Sequence, residues 1–309
     1  MIINTGQRTD IPAYYSEWFY NRIKENYVHV RNPYYPEQIL EYQLNPQVVD
    51  CLCFCTKNPQ PMLKRLDEIK AFRQFWFVTI TPYGKEIEPH VPHYQQVIKS
   101  FQQLSLKVGK KAIGWRYDPI FIDEHYTIEK HLHVFLEIAK ELSGYTDRCV
   151  ISFIDLYEKT KRNFPHIKEV TLEQQHILTR ELVKIAQQYH IKVQACLEDS
   201  SLAQYGIDTQ GCMTQEVIEE SIGERFVSLK KKNIRAGCSC LLGSDIGAYN
   251  TCLHGCLYCY ANVDKQEVIK QYRMHDPYSS ILIGHVQENE TIKKVKQISN
   301  IDYQLSFDL

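Results

Sequence analysis

The sequence predicts an α/β fold built on a parallel β/α barrel, full or partial, and three observations carry that expectation. Short, nearly continuous apolar runs recur along the chain, which is how strands buried on both faces read. Amphipathic stretches at helical spacing separate them, and such alternation implies a parallel sheet. Polar residues gather just after the strands, the end at which barrel enzymes build their sites.

The expected strands are residues 1–4, 50–55, 75–81, 111–115, 149–153 and 192–196, each β-branched or aromatic in character. Asn58 and Pro59 read as an N-cap with proline at N1, opening a helix toward Phe72. Thr171 and Gln174 form a capping box, followed by Leu178, Leu182, Ile185 and Tyr189 on one helical face. Further helices are expected at residues 93–104, 128–142 and 215–231. The chain divides into a barrel core, residues 1–200, and a cysteine-rich section, residues 201–309, that completes the barrel.

The expected strand ends carry Arg8 and Asp10, Lys57, then Thr79, Thr81 and Tyr83, then Arg116 and Asp118, Asp155, and finally Glu198. Singly, each is an ordinary loop residue or helix cap. Together they would share one face of a barrel, and Arg8, Asp10, Lys57, Arg116, Asp118 and Glu198 are the candidates to position reactants.

The formal net charge is -1 across 309 residues, which removes any broad attraction to nucleic acid or anionic membrane. Lys230, Lys231, Lys232 and Arg235 form a basic run without interleaved aromatics, so nucleic acid is a partner that the sequence does not favour. No apolar run approaches the ~20 residues that span a bilayer, and no secretion signal is visible at the start. The expectation is a cytoplasmic protein without a membrane partner. In that compartment 11 cysteines point to metal or redox chemistry ahead of disulfides.

Cys252, Cys256 and Cys259 are separated by three residues and then two, around Gly255. A compact loop with this spacing can aim three thiolates at one four-iron cluster, leaving one iron open for catalysis. A structural zinc site completed by His254 or Cys240 uses the same donors. Cys196, Cys212, Cys238 and Cys240 form a second group, able to hold a further [4Fe-4S] cluster or one zinc ion, or simply packed as buried thiols. Cys51, Cys53 and Cys55 alternate on one strand face and read as core, as does Cys149. His125, His131 and His133, and likewise His90 and His93, read as satisfied or solvated side chains.

Cys252-x-x-x-Cys256-x-Tyr258-Cys259 resembles the signature of the radical S-adenosylmethionine (SAM) superfamily. The resemblance implies a [4Fe-4S] cluster whose open iron binds SAM and whose electron cleaves it, giving a 5′-deoxyadenosyl radical that takes a hydrogen atom from substrate. It implies Tyr258 near the adenine, the backbone around Tyr260 bordering SAM, and an electron donor such as flavodoxin or ferredoxin. The substrate would be a small molecule or a macromolecule. The whole chain is also similar to an uncharacterised bacterial domain-of-unknown-function family, through Arg8-Thr9-Asp10-Ile11-Pro12, Cys55-Thr56-Lys57-Asn58-Pro59, Trp115-Arg116-Tyr117-Asp118-Pro119 and Asp245-Ile246-Gly247-Ala248-Tyr249.

Typical superfamily members carry the cysteines early, whereas here only about fifty residues follow them, so the resemblance implies a circular permutation. Residues 236–242 would be the strand before the loop and residues 262–272 the helix after it. Residues 280–286 or 1–4 would supply the neighbouring strand, placing Arg8 on the SAM carboxylate. A different class of function, a non-catalytic zinc- or cluster-stabilised binding module, stands beside this reading.

Overall fold

Period-two alternation on the strands assigns each residue to one side of a sheet. In residues 74–79, Phe75 and Phe77 pack with Cys51, Cys53 and Val150, while Trp76 and Val78 pack on the opposite side with Phe54, Trp115 and Ile151. The computed structural model describes residues 1–227, 239–241 and 243–303. In chain order the elements are β1 (Ile2–Asn4), α1 (Ile11–Tyr14), α2 (Ser16–Glu25), β2 (Tyr27–Arg31), β3 (Gln38–Gln43) and β4 (Cys51–Thr56). A 3-10 stretch, Gln60–Ile69, leads to β5 (Gln74–Thr79), α3 (Tyr94–Val108), β6 (Ile113–Ile120), α4 (Ile128–Leu142) and β7 (Arg148–Phe153). Then come α5 (Glu158–Asn163), α6 (Leu172–Gln188), β8 (Lys192–Ala195), α7 (Gln215–Ile222), β9 (Ser244–Asp245), α8 (Lys265–Arg273) and β10 (Thr291–Lys294).

Seven strands form one sheet in the order β8-β7-β6-β5-β4-β1-β9, and every pairing in it is parallel. The α/β architecture is therefore as expected. A closed barrel is not: among the described residues no pairing joins β8 to β9, the two ends of the order. The outer face is covered by helices, with Trp18, Trp76 and Trp115 fully buried and Phe54 stacked on Trp76 at 3.9 Å between ring centres. The inner face is covered by α7 and its flanks, where Val217, Ile218, Met213, Phe226 and Ile301 meet Cys51, Cys53, Phe75 and Phe77.

Local sequence explains most boundaries. Thr171 and Gln174 close both hydrogen bonds of the capping box on α6. α7 stops at Gly223, in the left-handed region, rather than running to residue 231. The stretch after Pro59 starts as expected, with proline in its first turn, but winds as 3-10 rather than α and ends at Ile69. β6 begins at Ile113 and continues through Ile120, longer than the strand expected at residues 111–115, with a register irregularity between Tyr117 and Ile120. Arg116 and Asp118 are consequently on the strand and not in a loop after it.

A separate three-stranded sheet, β10-β3-β2, was not expected. Residues 280–286 supply no strand to the main sheet; Ile281 makes one bridge to His29 of β2. The strand expected at residues 236–242 lies largely outside the described residues, as do the basic run 230–235 and Cys238. β9 follows instead and pairs with β1, Asn4 opposite Asp245. Among the described residues no helix is long and apolar enough to cross a membrane.

Candidate functional site

The loop after β9 is fastened to the N-terminal strand before any side chain is considered. Ile246 N–H donates to the carbonyl of Asn4 at 3.0 Å. Asp245 accepts from the N–H groups of Gln7 and Gly247, both at 2.9 Å. Thr251 is pinned by Tyr15, whose hydroxyl donates to its carbonyl at 2.6 Å. Asn262 donates to the Cys252 carbonyl at 2.8 Å, and Leu257 N–H donates to the Ile87 carbonyl at 3.0 Å. Gly255 takes φ 71°, which lets the chain reverse between Cys252 and Cys256.

The three loop thiols are half-buried. Burial pushes the Cys252 thiol up, with the Asp10 carboxylate adding to it, while backbone amides of His254 and Asp10 pull it down. Burial likewise raises Cys256, helped by Glu88 and opposed by Lys57. Cys259 accepts the N–H of Ala261 at 3.3 Å. Thiols held up in this way become thiolates when a metal displaces their protons.

Beneath the loop lie two buried polar knots. Asp10 accepts from Lys57 N–H at 2.8 Å and from Ala13 N–H at 3.0 Å, and its Oδ2 is 2.7 Å from His254 Nε2. His254 Nδ1 is 2.9 Å from the Tyr14 hydroxyl. Both ring nitrogens of His254 are thus engaged, and this arrangement leaves it no lone pair for a metal. In the second knot Glu88, 3 % exposed, receives Lys57 Nζ at 2.9 Å, the Thr81 hydroxyl at 3.0 Å and the Tyr258 hydroxyl. Lys57 Nζ also lies 5.6 Å from the centre of the Tyr258 ring.

Arg8, in the segment after β1, faces the loop. Its Nη1 donates to the Gly247 carbonyl at 3.4 Å, its Nε is 3.8 Å from Asp245, and it covers the Tyr249 ring at 5.7 Å. Tyr260 donates to the Gln7 carbonyl at 2.5 Å.

The second cysteine group sits across the sheet. Cys212 Sγ is 3.5 Å from Cys196 Sγ and 3.8 Å from Cys240 Sγ. Arg116 Nη1 reaches Cys212 Sγ at 3.6 Å while Nε and Nη2 hold Asp118, at 3.0 and 2.5 Å. Glu198 accepts the N–H of Phe153 at 2.8 Å, and burial, with Asp155, Cys196 and Asp118 adding to it, pushes its carboxyl up to about 8. Burial pushes the Cys55 thiol up to about 11, with Asp118 and Asp10 adding to it and Arg116 and Lys57 opposing it. Tyr260 lies within the fields of Cys55, Cys259 and Arg116.

The fold therefore brings Arg8, Asp10, Lys57, Tyr258 and Tyr260 to the loop cysteines, and Arg116, Asp118 and Glu198 to Cys196, Cys212 and Cys240. Cys238 lies outside the described residues. Cys51, Cys53 and Cys149 are core. Among the described residues no three His, Cys, Asp or Glu side chains are arranged to hold one metal ion. Glu88 was not foreseen: it stands seven residues beyond Thr81, in a loop without a motif, and only the fold turns it toward Lys57. The pairing of Asp10 with His254 spans 244 positions and has no local signature.

No curated protein matches this chain. A family model described as a domain of unknown function, DUF1848, matches residues 2–261, a span that contains β1 through the last loop cysteine and both cysteine groups. The chain belongs to the DUF1848 family of domains of unknown function.

Proposed function

We propose that this protein is a radical SAM-type enzyme, in which Cys252, Cys256 and Cys259 hold a [4Fe-4S] cluster on a permuted, open form of the parallel barrel. The observation that carries this reading is the loop itself. Three thiols lie on one turn at the C-terminal end of a parallel sheet, with an amide on Cys259 and with His254 engaged elsewhere. Thiolates on a single zinc lie within about 4 Å of one another, because Zn–S is about 2.3 Å. A four-iron cluster takes one thiolate per iron and needs a wider triangle. When bound, the cluster would supply one-electron cleavage of SAM to a 5′-deoxyadenosyl radical.

The chain's own residues would do the rest. Asp10, His254 and Tyr14 hold the loop against α1, and Glu88 fixes both the Lys57 ammonium and the Tyr258 ring beside Cys256. Arg8, already beside the loop backbone, is the candidate to receive the SAM carboxylate. Arg116 with Asp118, and Glu198 held by the Phe153 N–H, would orient substrate on the far side.

Anaerobic reconstitution with iron and sulfide tests this. The expected result is about four irons per chain on the loop, a brown chromophore, and 5′-deoxyadenosine after reduction with SAM. A colourless, stoichiometric metal with intact SAM would point to the non-catalytic binding module instead.

A further inference from the structure

We infer that Cys196, Cys212 and Cys240 form a second metal site, for a single thiophilic divalent ion of the zinc class. The two sulfur separations, 3.5 and 3.8 Å, match the roughly 4 Å between thiolates on one tetrahedral ion with Zn–S near 2.3 Å. They are too short for separate corners of an iron–sulfur cube. No group of the described residues is set for one ion as it stands; binding would draw the three thiols onto a shared ion from two separations that already fit.

Three further features make this a constructed site. Residues 239–241 run beside residues 210–213, with Ser239 N–H on the Gln210 carbonyl at 3.0 Å and Leu241 N–H on the Met213 carbonyl at 2.7 Å. Those bonds present Cys212 and Cys240 side by side. Gly211 has φ 145°, and a Cβ there would lie 2.9 Å from Cys240 Sγ, so the backbone comes as close to the sulfur as glycine alone permits. Met213 N–H donates to Cys240 Sγ at 3.3 Å, and the Arg116 guanidinium donates to Cys212 Sγ at 3.6 Å. Donors of this kind steady metal-bound thiolates and offset their charge. Three protein ligands leave one of zinc's four positions to water or to a substrate atom, within reach of Arg116 and Asp118.

The test is metal analysis of the full chain, purified without added iron from zinc-supplemented medium and then reconstituted with iron. We expect about one zinc per chain. Cys196→Ala, Cys212→Ala and Cys240→Ala should each lower zinc by at least about fivefold while the loop still takes up iron. Cys252→Ala and Cys256→Ala should keep the zinc. Should a variant fail to fold, an organomercurial titration of the Cys252→Ala and Cys256→Ala proteins keeps the test, with one zinc still bound at the start and released as the remaining thiols are modified. Zinc below about a tenth per chain, zinc lost with the loop variants instead, or about eight irons per chain would overturn the assignment. Because iron and zinc are read separately, failure here leaves the loop reading standing, and the reverse.

Discussion

The two cysteine groups of this protein are built by opposite means. Cys252, Cys256 and Cys259 come from one loop of eight residues, half-exposed and surrounded by a polar network. Cys196, Cys212 and Cys240 come from segments spread over 45 positions, and Cys212 and Cys240 are buried against the apolar inner face of the sheet. In the first group local spacing sets the geometry and the fold supplies rigidity and charge. In the second the fold sets the geometry and the sequence supplies only the donors. A loop of the first kind can hold a wide cluster beside solvent and cofactor, whereas a buried group of the second kind, with its sulfurs 3.5 and 3.8 Å apart, favours a single small ion.

The difference can be broken most sharply at the ligands. Cys256→Ala should remove the loop iron and reduce SAM cleavage by more than about a hundredfold, equivalent to roughly 3 kcal/mol or more. Cys212→Ala should retain loop iron. Product chromatography beside iron analysis checks both. Next comes the network under the loop. Glu88→Gln leaves the buried end of Lys57 without its carboxylate and should cost about 3 kcal/mol, the penalty for breaking a buried ion pair. Denaturant unfolding of the apo-protein measures it, with a matching loss of iron retention.

A third experiment separates both groups from the core. His131 is buried, with Nε2 donating to the Phe121 carbonyl at 2.8 Å and Nδ1 accepting from Tyr117 at 2.9 Å, so the ring is held neutral. Burial lowers its pKa to about 4 from 6.5. The unfolded chain therefore takes up the proton first, and stability present above about pH 6.5 is lost as pH falls toward 4, by up to about 3 kcal/mol. Unfolding of wild type and His131→Gln across that window checks it, the variant being flatter. The smallest effects fall on two glycines. Gly211→Ala meets both a φ of 145° and the Cys240 sulfur, and should cost about 2 kcal/mol with loss of zinc. Gly255→Ala has a φ of 71° but no contact nearer than 3.5 Å, and should cost about 1 kcal/mol with iron kept. Thermal unfolding with metal analysis resolves the pair.

What could be read from sequence follows the same division. The six strands expected for the sheet are its strands apart from β9, because runs such as Phe75 to Val78 are apolar on both faces and need no partner to be recognised. The α6 capping box was legible because Thr171 and Gln174 are three apart. The strand expected at residues 111–115 falls short of β6 because the charged Arg116 and Asp118 interrupt its apolar run, although Ile120 still pairs with Phe153 across the irregularity. The small sheet was missed because β3, Gln38–Gln43, mixes polar and apolar residues and is completed by β10 some 250 positions later. In the site, Arg8, Asp10, Lys57, Arg116 and Asp118 stood out as charges at strand ends. Glu88 and the engagement of His254 by Asp10 did not, since each depends on a contact that only the folded chain makes.

The most direct measurement is chromatographic quantification of 5′-deoxyadenosine from the anaerobically reconstituted, reduced protein with SAM, wild type beside Cys256→Ala. Product in the wild type and none above background in the variant is the predicted result. Intact SAM in both, from wild-type protein carrying its full iron, would contradict the assignment of these three thiols to a catalytic cluster.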